Sequence, residues 1–267
     1  MKSNAPIGIF DSGIGGLTIA HAIKKKLPEE SIIYFGDTEH LPYGEKSNEA
    51  IQNFAKKITR FLKEKGCKAI IIACNSASSV AAEIVQKEAK NILTFDVIQP
   101  VIDNIIKEGL KSNIGIIGTK ATIQSEIYNN LIKKSYGKAK VSSLATPLLA
   151  PMIEEGFIHE EISHTVISNY LSNDKLKNID QLILACTHYP LIYNEIKAYY
   201  KGRVDVINSA NIIAKHIATS LQDMKLLTTK QSCEDHFYVS NYTHEFEKSA
   251  KFFFKEKLKL EEINLWQ

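Results

Sequence analysis

Cysteine is scarce in this chain: Cys67, Cys74, Cys186 and Cys233 are the 4 cysteines among 267 residues. No two of them stand in Cys-x-x-Cys spacing, which argues against a structural zinc site, and a reducing cytosol argues against disulfides, so free thiols are expected. Long apolar runs are missing too. No stretch approaches the roughly 18 apolar residues of a membrane helix. Met1-Lys2-Ser3-Asn4-Ala5-Pro6 leads directly into a strand without the apolar core and cleavage site of a signal peptide. A cytoplasmic protein with no membrane partner is therefore expected. Gly13-Ile14-Gly15-Gly16 lacks Gly-x-Gly-x-x-Gly spacing, and no Walker Gly-Lys-Ser/Thr occurs, which disfavours a nucleotide cofactor. Blocks of like charge are also absent. The net charge of +3 is spread along the chain, and Lys24-Lys25-Lys26 and the lysines from Lys251 to Lys259 read as solvated helix faces rather than a nucleic-acid surface.

What is present is an ordinary globular composition, 44% hydrophobic and 24% charged, on a chain long enough for two compact units. Strand-like runs fall near residues 6–10, 31–35, 68–73, 92–97, 113–117, 140–144, 181–185 and 203–207. Helical periodicity fills most gaps, as in Glu49 to Lys65 and Ile158 to Leu171. Such alternation predicts an α/β fold of parallel sheets with covering helices. Two similar doubly wound domains related by a pseudo-twofold are expected, with the active site in the cleft between them. The first spans 1–98 plus about 209–267, the second 99–208, with the break near Gln99-Pro100. The segment from Cys233 onward offers one strand candidate, Phe237-Tyr238-Val239, and then an amphipathic aromatic-rich helix.

Two of the cysteines share a local setting. Ala69-Ile70-Ile71-Ile72-Ala73-Cys74-Asn75-Ser76 and Gln181-Leu182-Ile183-Leu184-Ala185-Cys186-Thr187-His188 each run an apolar strand into Ala-Cys and a polar residue. Upstream, Pro6-Ile7-Gly8-Ile9-Phe10-Asp11-Ser12-Gly13 and Asn113-Ile114-Gly115-Ile116-Ile117-Gly118-Thr119 are similar to each other. Gly8 lies 66 positions before Cys74, and Gly115 lies 71 before Cys186. This reads as a duplicated α/β half, with a period longer than those of solenoids. Ligands of α/β proteins sit at the carboxyl ends of strands, where both thiols would stand. With an ordinary thiol pKa near 8.5, one member of the pair can act as thiolate base while the other is the acid. On opposite faces of one carbon, such a pair inverts configuration.

Asp11 and His188 stand where they could orient or relay protons for the two thiols. Asp11 also fits a helix N-cap, His188 an interface histidine, and each cysteine taken alone a packed core position. The loop Gly13–Gly16 offers a helix amino terminus with free N–H groups to a carboxylate, to which Ser12 could add a hydroxyl.

These residues carry a resemblance. Phe10-Asp11-Ser12-Gly13-x-Gly15-Gly16, Asp37-Thr38 with Pro42-Tyr43-Gly44, Ala73-Cys74-Asn75-Ser76-Ala77-Ser78, Gly118-Thr119-Lys120-Ala121-Thr122 and Cys186-Thr187-His188-Tyr189-Pro190 occur in the order of the glutamate racemases. The chain thus resembles that family of the cofactor-independent aspartate/glutamate racemase superfamily over about two-thirds of its length. The resemblance implies that Cys74 and Cys186 are the acid/base pair interconverting L- and D-glutamate, with no cofactor and no metal. It implies that Asp11 and Ser12, Pro42, Tyr43 and Gly44, Asn75 and Ser76, Thr119 and Thr122, and Thr187 and His188 bind the amino acid. It also places an auxiliary glutamate at Glu154, with Glu155 adjacent in register. A homodimer supplying D-glutamate for peptidoglycan is implied as well. Ser76 stands where the family usually has threonine, keeping the hydroxyl, and Asn241 stands where it usually has glycine. An aspartate or hydantoin racemase, a cysteine hydrolase with one nucleophilic thiol, and a non-catalytic binding protein are the competing readings.

Overall fold

The structure, a computed structural model, describes residues 2–229, 234–254 and 260–266. Cys233 and the lysines at 255, 257 and 259 lie outside the described residues. Among the described residues, ten strands form two wholly parallel sheets: β1 (Ile7–Asp11), β2 (Ile32–Gly36), β3 (Ala69–Ile72), β4 (Leu93–Phe95), β5 (Asn113–Gly118), β6 (Lys140–Ala145), β7 (Gln181–Ala185), β8 (Asp205–Ile207), β9 (His236–Val239) and β10 (Leu260–Glu262). The first sheet has the order β10-β9-β2-β1-β3-β4, and the second β6-β5-β7-β8. Counted within its own half, each four-strand core runs second-first-third-fourth. The likeness of the two sequence blocks is thus matched by an identical winding order.

The central strands IGIFD, IIYFG, AIII and QLILA are buried along their whole length. Continuous apolar runs are what a parallel sheet covered by helices on both faces requires. Register aligns the strand ends: Phe10 pairs with Phe35 and with Ile72, and Gly118 with Ala185. The residues just beyond β1, β3, β5 and β7 therefore leave their sheets at a common level. Helix Gly16–Lys26 buries Leu17, Ile19, Ala20 and Ile23 completely and packs on helix Ser209–Asp223, which also touches helix Gln99–Gly109 and β7. Each such Leu or Ile side chain contributes about 1.5–3 kcal/mol through burial. Helix Asn48–Glu64, capped where Ser47 Oγ accepts the Ala50 amide (3.2 Å), lies along helix Asn75–Ala89.

The expected helix from Ile158 starts three residues later, at Glu161. Gly156 and His159 both hold left-handed backbone (φ 78° and 60°), which breaks the preceding turn, and Ser163 Oγ takes the Glu160 amide at 3.0 Å to begin a new helix. The final segment holds β9 and helix His244–Phe254 as expected, but also β10, which extends the first sheet beside β9. Of the Lys24-Lys25-Lys26 face, Lys24 is not simply solvated: its Nζ pairs with Asp235 at 3.0 Å.

A buried ion pair fastens the sheet edge opposite the thiols. Lys68, just before β3, meets Glu30, just before β2, at 2.6 Å, with side chains 0% and 2% exposed. Lys68 Nζ also donates to Leu226 O (2.8 Å) and Thr228 Oγ1 (3.0 Å), and Glu30 Oε1 accepts the Thr228 amide (2.9 Å). The pair thus ties the linker after helix Ser209–Asp223 to the first sheet. Removing one member strands a buried charge, so Lys68→Ala is expected to cost about 3–5 kcal/mol, read as a lowered urea midpoint. The double variant Lys68→Met/Glu30→Leu should recover part of that loss.

Candidate active site

The sequence of each half delivers its thiol in the same way. β3 ends at Ile72, and Cys74 occupies the N-cap position of helix Asn75–Ala89. β7 ends at Ala185, and Cys186 starts the turn that leads through His188 into the short helix Tyr189–Ile192. Strand order reverses between β1 and β3 in one sheet, and between β5 and β7 in the other. Crevices open at such switch points in doubly wound folds. Here the two crevices face each other. Ser12, Pro42, Tyr43, Gly44, Cys74, Asn75 and Ser76 of one half line a single cavity with Thr119, Ala150, Cys186, Thr187 and His188 of the other. Its free volume is about 20 Å³, room for little more than one water.

Contacts across the seam hold the walls. The Glu154 carboxylate accepts from the Ile14 amide of the first half (3.1 Å) and from His188 Nε2 (2.5 Å). Thr187 Oγ1 donates to Asp11 Oδ2 (3.1 Å), Thr18 Oγ1 to Thr187 O (3.0 Å), and Ser76 Oγ shares a hydrogen bond with Thr119 Oγ1 (2.8 Å). Glycine makes this approach possible. A Cβ on Gly15 would stand 2.5 Å from His188 Nδ1 and from Thr187 Oγ1, and one on Gly44 2.5 Å from Thr119 Cβ.

The expectation of free N–H groups in the loop after β1 is corrected by these contacts. Two of them are already taken by the protein's own carboxylates, Gly13 N–H by Asp11 Oδ1 (2.9 Å) and Ile14 N–H by Glu154. Asp11 does not occupy the N-cap position, which belongs to Gly15, although its carboxylate takes amides of that loop. Of the two adjacent glutamates, Glu154 faces His188 and Glu155 is exposed. Asp11, Glu154 and Thr122 stand behind the cavity wall rather than in it. Thr122 Oγ1 supports Thr119 Oγ1 at 3.1 Å.

Electrostatics distinguishes the two thiols. Burial, and next the Asp11 carboxylate, push the Cys74 thiol up from 9.0 to about 12, with the Ala77 amide and the Ser12 hydroxyl (3.9 Å) only partly offsetting them. Cys186 Sγ instead meets His188 Nδ1 at 3.5 Å. Burial works against charge on His188, but Glu154 and Cys186 outweigh it and hold the imidazole well above the usual histidine range. An imidazolium beside one sulfur and a buried carboxylate near the other make the cavity electrically lopsided. Burial also raises the Asp11 carboxyl, with His188 drawing it back. Tyr43 donates to the buried Asp37 (2.5 Å), which also accepts from Ser240 Oγ (2.8 Å), so the Pro42-Tyr43-Gly44 wall is braced from β2 and β9. Among the described residues no cluster of three or more His, Cys, Asp or Glu could hold a metal, and no helix is long and apolar enough to cross a membrane.

Sequence reasoning missed Ala150, which carries no chemical signal, and Tyr128, whose hydroxyl reaches Asn75 Oδ1 (2.7 Å) from the other half. A lone tyrosine in a helix gives no sequence sign of such a contact.

Comparison with known proteins agrees with this architecture. Residues 17–217 match the Asp/Glu/hydantoin racemase family. The chain is 38% identical to a glutamate racemase of Chlorobium phaeobacteroides over 255 residues, covering 95% of this chain and 94% of that one. The glutamate racemase of Aquifex aeolicus is 42% identical over 211 residues, 79% and 81% of the two chains. A crystal structure of the Francisella tularensis glutamate racemase in complex with D-glutamate superimposes with a TM-score of 0.91 at 40% identity, covering 99% of each chain.

The raised Cys74 thiol has a measurable consequence. Because its folded pKa lies above the unfolded one, its contribution to stability is complete below about pH 9 and is lost as pH rises toward 12. Urea midpoints of the native protein should fall between pH 9 and 11, and Cys74→Ser should flatten that fall. Parallel curves for the two proteins would contradict the assignment.

Proposed function

The chain belongs to the Asp/Glu/hydantoin racemase family, and on that premise we propose that it interconverts L- and D-glutamate by proton transfer at the α-carbon between Cys74 and Cys186. One observation carries the reading: two thiols from corresponding strands of two different sheets line one small cavity. The glutamate specificity rests on the likeness to the glutamate racemases of Chlorobium and Francisella.

In this reading Cys74, held as a thiol by burial and Asp11, is the proton donor of the resting enzyme. Cys186, with His188 Nδ1 3.5 Å from its sulfur, is the base. Cys186 takes the α-proton from one face, the α-carbon carries the negative charge briefly, and Cys74 returns a proton to the other face. The stereocentre inverts, and the protonation states of the thiols are exchanged. The opposite enantiomer enters the exchanged state and runs the steps backward.

The α-proton is far less acidic than a thiol, so the site must stabilise the carbanion by donors fixed in advance and by excluding water. Ser12, Asn75, Ser76 and Thr187 are the donors proposed for the substrate carboxylates. Pro42, Tyr43, Gly44 and Thr119 shape the wall, with Thr122 behind it. Asp11 and Glu154 keep Thr187 and His188 in place. A cavity of about 20 Å³ cannot admit glutamate, so the halves part to load it and close again for chemistry.

The close Cys186–His188 contact also suits a cysteine hydrolase, but that reading leaves Cys74, in the same cavity, without a task. Within the same proposal the protein is a cytoplasmic homodimer that supplies D-glutamate for peptidoglycan. Rescue of a bacterial strain that requires D-glutamate, together with light scattering, tests this wider role.

Incubation with L-glutamate in D₂O without added cofactor should bring optical rotation to zero and yield α-deuterated glutamate. Cys74→Ser and Cys186→Ser should each lower racemisation at least ~100-fold. Near-normal turnover in both directions by either variant contradicts the two-thiol mechanism, and faster racemisation of aspartate contradicts the substrate.

A further inference from the structure

Asn75 follows Cys74 directly and lines the cavity, yet a primary amide can face a ligand in two ways, as donor or as acceptor. What decides between them comes from the other half of the molecule. Tyr128 stands in helix Ile127–Ser135 and is 3% exposed, and its hydroxyl donates to Asn75 Oδ1 at 2.7 Å. Burial, with the charges of Asp96 and Cys186 adding to it, raises the phenol pKa, so Tyr128 stays a neutral O–H donor.

The placement of Tyr128 is built rather than incidental. Helix Lys120–Gln124 stops at Ser125, and Glu126 then takes left-handed backbone (φ 57°), a conformation unfavourable for a residue other than glycine. The chain thereby turns a second helix toward the seam. Asn129 fixes the first turn of this helix, its Nδ2 donating to Glu126 Oε2 (2.6 Å) while its Oδ1 accepts from Ser143 Oγ of β6 (2.7 Å). Ile132 anchors the helix in the main core.

We propose that Tyr128 is a positioning residue: by occupying Asn75 Oδ1 it turns the Asn75 amide so that its NH₂ group faces the substrate, making this part of the cavity a receptor for a carboxylate. With Oδ1 occupied by the tyrosine hydroxyl, the NH₂ group is the end of the amide left for the ligand. The contact spans the seam, so the donor is aimed only while the halves are closed. A substrate carboxylate then meets Asn75 as a donor in the same state that brings both thiols to the cavity. Without the tyrosine hydroxyl the amide can turn, and its carbonyl would repel the carboxylate.

This inference rests on the glutamate reading for its substrate but not for its geometry. Tyr128→Phe removes one oxygen and should raise KM for both glutamate enantiomers ~10-fold while kcat stays within about twofold. That split separates aiming of a binding group from general damage to the fold, which would lower both parameters and the urea midpoint together. The ¹⁵N–¹H cross-peaks of the Asn75 side chain, assigned by their loss in Asn75→Asp, give a readout that needs no turnover. In the ligand-free native protein two sharp NH₂ peaks are expected, and in Tyr128→Phe they should shift and broaden. Unchanged KM and unchanged peaks in Tyr128→Phe would overturn the proposal. Altered peaks in a protein that does not turn over glutamate would instead uphold the positioning role and reject the glutamate reading.

Discussion

Everything about this site follows from burying ionisable groups in a seam between two sheets. Two thiols, two carboxylates and an imidazole lie almost out of contact with water at the junction of the halves, where an unpaired polar group is costly. Each therefore finds its partner across the gap or beside it. Glu154 takes His188 and the Ile14 amide, Asp11 takes Thr187, Ser76 meets Thr119, and Tyr128 meets Asn75. The seam is thus held largely by groups that line or back the cavity. In the proposed cycle, parting the halves would break those bonds, and closing would restore them in a dry cavity where electrostatic effects are strong.

The same burial separates two thiols that the fold makes equivalent. Both follow the third strand of a second-first-third-fourth sheet, but their neighbours differ. Cys74 faces the negative side of the seam through Asp11, whereas Cys186 faces the positive edge of His188, itself balanced by Glu154. Two halves of the same winding order thus supply the geometric likeness, and the different neighbours of the two thiols supply the difference in charge.

Much of this was legible in the sequence because strand ends are strongly marked. Ile70-Ile71-Ile72 before Ala73-Cys74 and Leu182-Ile183-Leu184 before Ala185-Cys186 announce buried parallel strands, and the residue after such a strand must emerge at a sheet edge. The pairing of Glu154 with His188, the bracing of Tyr43 by Asp37, and the reach of Tyr128 to Asn75 were not legible. Each joins residues between 6 and 53 positions apart, and depends on how two halves dock rather than on any local pattern. The late start of the helix expected from Ile158 turned on the left-handed backbone at His159, a non-glycine residue that gives no such signal. Strand β10 was overlooked because Leu260-Glu261-Glu262 is short and charged, as edge strands tend to be.

The most direct measurement is a crystal structure of the protein with glutamate bound in the closed state. The account expects the α-carbon to lie between the sulfurs of Cys74 and Cys186, each within roughly 3–3.5 Å on opposite faces. A glutamate whose α-carbon touches one sulfur only, with the other turned into separate space, would contradict it.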